Sequence, residues 1–379
     1  MGCGCSNKQS VTFPVNSARN NHTHNTIHID HAGTAKMRLD LFNNTYRFFN
    51  FKSKIPIDDS NNINILLYTL PYNPTGDSFV SLSKFREEKA ECNNYKGSGD
   101  NLLISYNKGE KLNDVYNKDK FFVLIDGDFQ VYCLIDGHGP FGDIIGQIVQ
   151  DKTFIQLTKS YSKDFSNEYE SIFVNLFEDI QQSLINQNIK LQDEYDPFLS
   201  GASVSIVVIR NSVIYTANVG NVLAMVVSTD QNTISKIEID ILTIDDSDFY
   251  NDNYDKEGKI SNEDFDVINI HGTFDMRDEI RRIYENGGEI RQIGEEEKGR
   301  IFAKGKYYPG LINTRGLGDQ IGGIIGVINK PHISKMKMKN DSNYYLVMYT
   351  DGIGNCNDCM TIGNAILGFE NRILFYYYF

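Results

Sequence analysis

The sequence predicts an α+β fold in which antiparallel sheets are layered against helices. Three observations predict it. Residues 121–126 and 129–136 are apolar, β-branched and aromatic runs joined by a tight Asp-Gly-Asp turn, the signal of a hairpin. Two amphipathic stretches follow, 141–158 and 169–190. Ile144, Ile145, Ile148 and Val149 mark the first at helical spacing, and Ile172, Leu176, Phe177, Ile180 and Leu184 the second. Strands then resume at 202–209, 213–219, 222–227 and 237–243. Strands, a helical pair and strands again is the order of a layered α+β domain.

Composition narrows what the domain does. The chain has 379 residues, enough for one large domain with appendages. Its net charge of -13 argues against nucleic acid as a partner and against a basic membrane-binding patch. It suits a protein that gathers divalent cations. Cys133 lies in an apolar strand, and the cysteines form no disulfide framework, which reads as a reducing compartment. No run of about 18 apolar residues offers a membrane span.

The elements follow in order. Met1-Gly2-Cys3-Gly4-Cys5-Ser6 matches the N-myristoylation pattern, with Gly2 as acceptor. Cys3 and Cys5 beside it are palmitoylation targets. One myristoyl chain holds weakly and a second acyl chain makes the anchor stable. The expectation is attachment to the cytoplasmic face of a membrane. Residues 1–35 read as an acylated polar tail, 36–95 as an extension without assigned role, and 96–379 as the folded domain. Residues 102–106 are a further strand candidate. Residues 277–286 are a short helix stopped at Gly287-Gly288.

The first hairpin ends in Asp136-Gly137-His138-Gly139, immediately before a helix. A carboxylate and an imidazole thus stand at the exit of a buried strand. A second apolar strand, 344–349, runs into Asp351-Gly352. If the two strands are neighbours, both carboxylates leave a sheet at one edge and can share divalent cations. The alternative is that Asp-Gly merely makes turns.

An acidic, turn-rich stretch at 245–266 forms the body of an insert over 245–270. Within it Asn253, Asp255, Glu257, Ser261 and Asp264 have the ligand spacing of a calcium-binding EF-hand loop, with Gly258 at the sharp turn. The first and last ligands depart from the usual Asp and Glu. Ca2+ binding and a solvated acidic insert are the two readings.

A series of short motifs carries a resemblance. In order they are Lys108-Gly109-Glu110-Lys111, Asn117-Lys118-Asp119-Lys120, Asp136-Gly137-His138-Gly139, Gly201-Ala202-Ser203, Ala217-Asn218-Val219-Gly220-Asn221, Thr314-Arg315-Gly316-Leu317-Gly318-Asp319 and Thr350-Asp351-Gly352. Over about residues 98–355 the chain resembles the metal-dependent Ser/Thr protein phosphatases of the protein phosphatase 2C (PPM) family. The resemblance implies a β-sandwich of two antiparallel sheets flanked by pairs of helices. It implies two Mg2+ or Mn2+ ions that activate a water for in-line attack on phosphorus. Asp136 would bridge the metals, Gly137 would offer its carbonyl, and Asp351 would be a further ligand. Asp119 would support metal or water from outside. His138 would be the general acid and Lys111 a phosphate-binding residue. Phosphoproteins would be the substrates, and the protein a monomer.

The departures fall on the metal centre. Lys118 stands where the family has Glu or Gln, Asn221 and Asn355 where it has Asp. An ammonium beside a dication site repels the metal unless it turns outward. No Asp-Asn pair follows Asp351, so the C-terminus reads either as truncated or as an error of the gene model. Two functions follow: a membrane-tethered metal-dependent phosphatase, or a catalytically impaired relative that binds phosphoproteins.

Overall fold

The computed structural model describes residues 63–69, 94–99, 102–107, 117–126, 128–160, 165–190, 198–230, 237–247, 267–270, 276–294, 299–339, 342–354, 359 and 361–363. All lie in one unit, Pro56–Phe379. Lys111, Asn355, the acylation residues Gly2, Cys3 and Cys5, and the calcium-loop residues Asn253, Asp255, Glu257, Ser261 and Asp264 fall outside them.

The strands are β1 (Ile63–Tyr68), β2 (Asn94–Gly99), β3 (Leu102–Asn107), β4 (Lys120–Asp126), β5 (Phe129–His138), β6 (Gly201–Arg210), β7 (Val213–Val219) and β8 (Leu223–Asp230). They continue as β9 (Ile237–Ile241), β10 (Val267–Ile270), β11 (Gly288–Arg291), β12 (Arg300–Ala303), β13 (Pro309–Leu311), β14 (Leu317–Gly318), β15 (His332–Lys337) and β16 (Ser342–Tyr349). The helices are α1 (Gly142–Ser160), α2 (Phe165–Lys190), α3 (Met276–Glu285), α4 (Gln320–Gly323) and α5 (Asp351–Gly354).

Seven strands form the first sheet in the order β1-β4-β5-β6-β7-β15, with β14 also on β6; four form the second, β10-β9-β8-β16. The first hairpin closes as its turn demands, with Asp126 opposite Phe129. Asn211 and Ser212 both take positive φ between β6 and β7, as a two-residue type I′ turn requires.

Side-chain alternation says what each face meets. Along β5, Phe129, Val131, Cys133 and Ile135 are buried while the residues between them are half-buried. The buried face meets the helices: Phe129 packs edge-on against Phe165 of α2, and Phe122 of β4 against Phe154 of α1. β6 is buried at Gly201 through Val208, the pattern of a central strand covered on both faces. Between the sheets lies an apolar layer. Val207, Ile214 and Met336 from the first meet Ala224, Val226 and Leu242 from the second, with Tyr132 of β5 packed against them. Tyr132, Asp136 and His138 share one face of β5 by the two-residue period of a strand.

The α+β sandwich matches the expectation, with four differences. β10 pairs β9 in parallel, so the second sheet is mixed. β1 comes from the segment read as an unassigned extension, yet it pairs antiparallel with β4. Thr69 beyond it is fixed by Gln150 of α1, whose Nε2 donates 2.8 Å to the Thr69 carbonyl. The helix 276–285 stops at Gly287, which has positive φ, but Gly288 already begins β11. The chain after α5, which carried no expected element, returns to the fold: Cys359 and Ile362 pack on Met225, Val227, Ile239 and Tyr349 of the second sheet.

Candidate active site

Asp136 and His138 come from the end of β5, opposite Ser203 and Gly201 of β6. Asp119 comes from the entry to β4, and its N–H donates 3.0 Å to Asn117 Oδ1. Asp351 begins α5 beyond the end of β16, on the other sheet. The two Asp-Gly carboxylates therefore do not leave one sheet edge side by side. They meet from opposite sheets at one end of the sandwich, because Asp136 is on the face of β5 turned toward the second sheet.

Three carboxylates lie within electrostatic reach of one another there. Asp119 and Asp136 are hydrogen-bonded to each other, and Asp351 acts on both. Thr350 Oγ1 donates 3.2 Å to Asp119 Oδ2. Burial, then the charges of Asp119 and Asp351, push the Asp136 carboxyl well above the ordinary range. Burial also raises Asp119, against the opposing charge of Lys120. A crowded, desolvated set of carboxylates is the donor chemistry of a hard divalent cation. In number the set is short: among the described residues no three His, Cys, Asp or Glu side chains are grouped to hold an ion. The Gly137 carbonyl and waters are the oxygens left to complete a shell.

Glycines make room for the strand end. A Cβ on Gly137 would lie 2.1 Å from the Gly142 carbonyl oxygen, so β5 and the start of α1 approach only as glycines. Lys118 threads beside them. Its carbonyl would lie 3.0 Å from a Cβ on Gly137, and its Cδ 3.2 Å from one on Gly142. Its charge opposes protonation of His138. Lys120, which sequence reasoning passed over, is buried. Its Nζ donates 3.1 Å to the Asn117 carbonyl and 3.0 Å to that of Asp119. Burial lowers its pKa, against the pull of Asp143 and Asp119.

Asn221 is committed elsewhere. Its Oδ1 accepts from Ser203 Oγ at 2.9 Å and from Asn313 Nδ2 at 3.2 Å, and Asn313 also donates 3.0 Å to Ser203. This buried network is neutral and lies across the ladder from Asp136.

His138 has a partner that the sequence reading gave no role. Its Nε2 lies 2.6 Å from Oδ2 of Asp319, a side chain only 5% exposed. Burial works against the imidazolium, but the Asp319 charge and hydrogen bond, with Asp136, raise the His138 pKa. The signal for Asp319 was its place in the Gly316-Leu317-Gly318-Asp319 motif. The strand pairing that brings it across, Gly318 opposite Gly201, is not readable from a two-residue strand.

Three comparisons bear on this arrangement. Residues 260–362 match the family model "Protein phosphatase 2C". The probable protein phosphatase 2C 35 of Arabidopsis thaliana is 25% identical over 250 residues, which are 63% of this chain and 65% of that protein. The chain thus spans just under two thirds of that relative. The crystal structure of serine-threonine phosphatase 2C from Toxoplasma gondii aligns over 68% of this chain and 81% of that one, at 15% identity and a TM-score of 0.50. The last likeness is one of fold.

Proposed function

We propose that this chain, a divergent relative of the protein phosphatase 2C family, is a Mg2+- or Mn2+-dependent protein phosphatase acting on phosphoserine and phosphothreonine. One observation carries the reading. Asp136 and His138 stand two residues apart on one strand face, the first against Asp119 and Asp351, the second against Asp319. A cation-gathering pole and a proton-carrying pole adjoin, as phosphoester hydrolysis requires.

Asp136, Asp351 and the Gly137 carbonyl would hold the ion, with Asp119 behind them. Bound there, it would supply positive charge for the phosphoryl oxygens and lower the pKa of water. The chain's own residues do the rest. Asp119, held by Asn117 and Thr350, orients Asp136. His138 is placed to give a proton to the departing serine or threonine oxygen. Membrane attachment through Gly2, Cys3 and Cys5 belongs to the same proposal and rests on the sequence motif alone.

The test is Mn2+-dependent hydrolysis of a phosphoserine peptide by the full chain, with Asp136→Asn as control. We expect activity that falls by about 10³-fold or more in the variant, several kcal/mol of transition-state stabilisation being lost. Equal background rates in both proteins would sink the enzyme reading. The second reading, a catalytically impaired phosphoprotein binder, is favoured by the neutral commitment of Asn221 and by two lysines flanking Asp119.

A further inference from the structure

We infer that Asp319 is the positioning residue for His138, fixing its tautomer and directing Nδ1 at the leaving group. The inference rests on the phosphatase reading for its chemistry, but on geometry for the contact. Nε2 of His138 lies 2.6 Å from Asp319 Oδ2, a distance expected of a charge-assisted hydrogen bond. With Nε2–H donated to Asp319, the nitrogen left to face a substrate is Nδ1.

The backbone around Asp319 is built to hold this contact at a cost. Asp319 caps the N-terminus of α4, yet its side chain makes no capping hydrogen bond. An Asp in that position ordinarily satisfies its own helix. Here the carboxylate is turned to His138, and Oδ1 has no partner among the described residues. Asp319 also takes φ 42° and ψ 47°, a left-handed conformation that a residue with a Cβ adopts against a penalty. Strain of this kind persists where the surroundings over-determine it.

They do so on every side. The Asp319 N–H donates 2.9 Å to the Ser200 carbonyl. Gln181 of α2 clamps Gly318 twice, donating 3.0 Å to its carbonyl and accepting 2.8 Å from its N–H. Gly201 leaves the room the carboxylate needs, because a Cβ there would lie 2.3 Å from Asp319 Oδ2. A contact that serves only to hold two loops would not need a forgone cap, a left-handed Asp and a glycine opposite it.

In the reaction the phosphorus–oxygen bond to the serine breaks and its electron pair stays on Oγ. The proton on His138 Nδ1 passes to Oγ, giving the serine hydroxyl. A water oxygen bonds to phosphorus and releases a proton to solvent. His138 is left as neutral imidazole with Nε2–H on Asp319, and regains its Nδ1 proton from solvent. The Asp319 carboxylate is unchanged throughout.

Two measurements on the full chain test this. By NMR on ¹⁵N-histidine protein, the wild type should show a far-downfield His138 Nε2–H resonance, assigned by its absence from His138→Asn. Asp319→Asn should abolish it and Asp351→Asn should keep it, with thermal melts confirming that both variants fold. Persistence of the resonance in Asp319→Asn would overturn the inference. So would its absence from the wild type, whether or not the protein is an active phosphatase. By kinetics, Asp319→Asn should lower kcat on a phosphoserine peptide by about 10²-fold, the scale of a lost general acid, with KM little changed. It should lower kcat far less on an aryl phosphate, whose leaving phenolate needs no proton. Equal losses on both substrates would mark Asp319 as structural and overturn the inference. Should Asp319→Asn fail to fold, Asp319→Glu is read by the same two measurements. A wild type without turnover defeats the phosphatase reading and leaves the NMR result to decide the contact.

Discussion

Lys118 adds positive charge beside His138, at the edge of the acidic centre. Its stem lies against Gly142 and its charge reaches His138. Replacing it with the acid the family carries removes one repulsion and adds one ligand. We expect Lys118→Glu to tighten Mn2+ binding about tenfold or more in calorimetry, a modest Coulombic gain; unchanged affinity would mean the ammonium does not face the ion. A different residue sets a pH dependence. Asp151 is buried on α1 with Gln147 Nε2 donating 2.9 Å to Oδ1, and burial pushes its carboxyl up to about 7. A carboxyl raised on folding costs stability as pH climbs from its unfolded value through 7, and costs nothing below both. The cost reaches on the order of 4 kcal/mol at pH 8. Asp151→Asn should therefore melt higher than wild type at pH 8, with the advantage gone by about pH 4, as scanning calorimetry would show. The sequence leaves the direction of Lys118 open and gives no sign of the raised Asp151 carboxyl. A buried Asp on a helix looks like any polar residue until packing closes over it, and Lys118 alone could face either way.

At the scale of elements, the long periodic ones were readable and the short ones were not. The β4–β5 hairpin and helices α1 and α2 carry enough apolar residues at fixed spacing to declare themselves. β10 to β14 have two to four residues each, too few for any period to show. The loop that carries β14 is set by a buried charge network. Glu279 of α3 accepts from Arg315 at 3.1 and 2.6 Å and from Arg282 at 2.5 Å. Arg282 also donates to the Thr314 and Gly326 carbonyls, and Arg315 to that of Lys330. The loop leading to Asp319 is thereby pinned to α3. Burial alone would raise Glu279, but the hydrogen bonds and charges of Arg282 and Arg315 outweigh it and hold it at about 2. Stability from this pair is whole above the unfolded glutamate value and is lost as pH falls toward 2. Glu279→Gln leaves two arginines without their charge partner. We expect it to cost about 3 kcal/mol at pH 7 by urea denaturation, the scale of breaking a buried pair; a loss under about 0.5 kcal/mol would mean solvent already screens the network.

For the whole chain, the sandwich was legible because motif order and strand patterning agreed. Where the fold begins was not, because β1 is a six-residue run separated from its partner β4 by more than fifty residues. The centre was half legible: Asp136, His138, Asp119 and Asp351 stand out in the sequence by their motifs, while Asp319, Lys120 and the Ser203-Asn221-Asn313 network emerge only from pairing across strands. Beyond the folded unit, the proposed anchor has its own check. Gly2→Ala should move the full chain from the membrane to the supernatant fraction in cells able to acylate it, since the second acyl chain follows the first. Continued membrane association would count against the motif.

Asp136 rides on one sheet and Asp351 follows from the other. What keeps the two carboxylates at working separation is the thickness of the apolar layer holding Val207, Ile214, Ala224, Val226, Leu242 and Met336. The domain is in this sense a caliper, with its jaws at the open end and its spacing set along the shaft. A methyl group gained or lost deep in that layer changes the gap where the proposed ion and phosphate would fit. Residues that touch neither are thereby held to the tolerances of the chemistry.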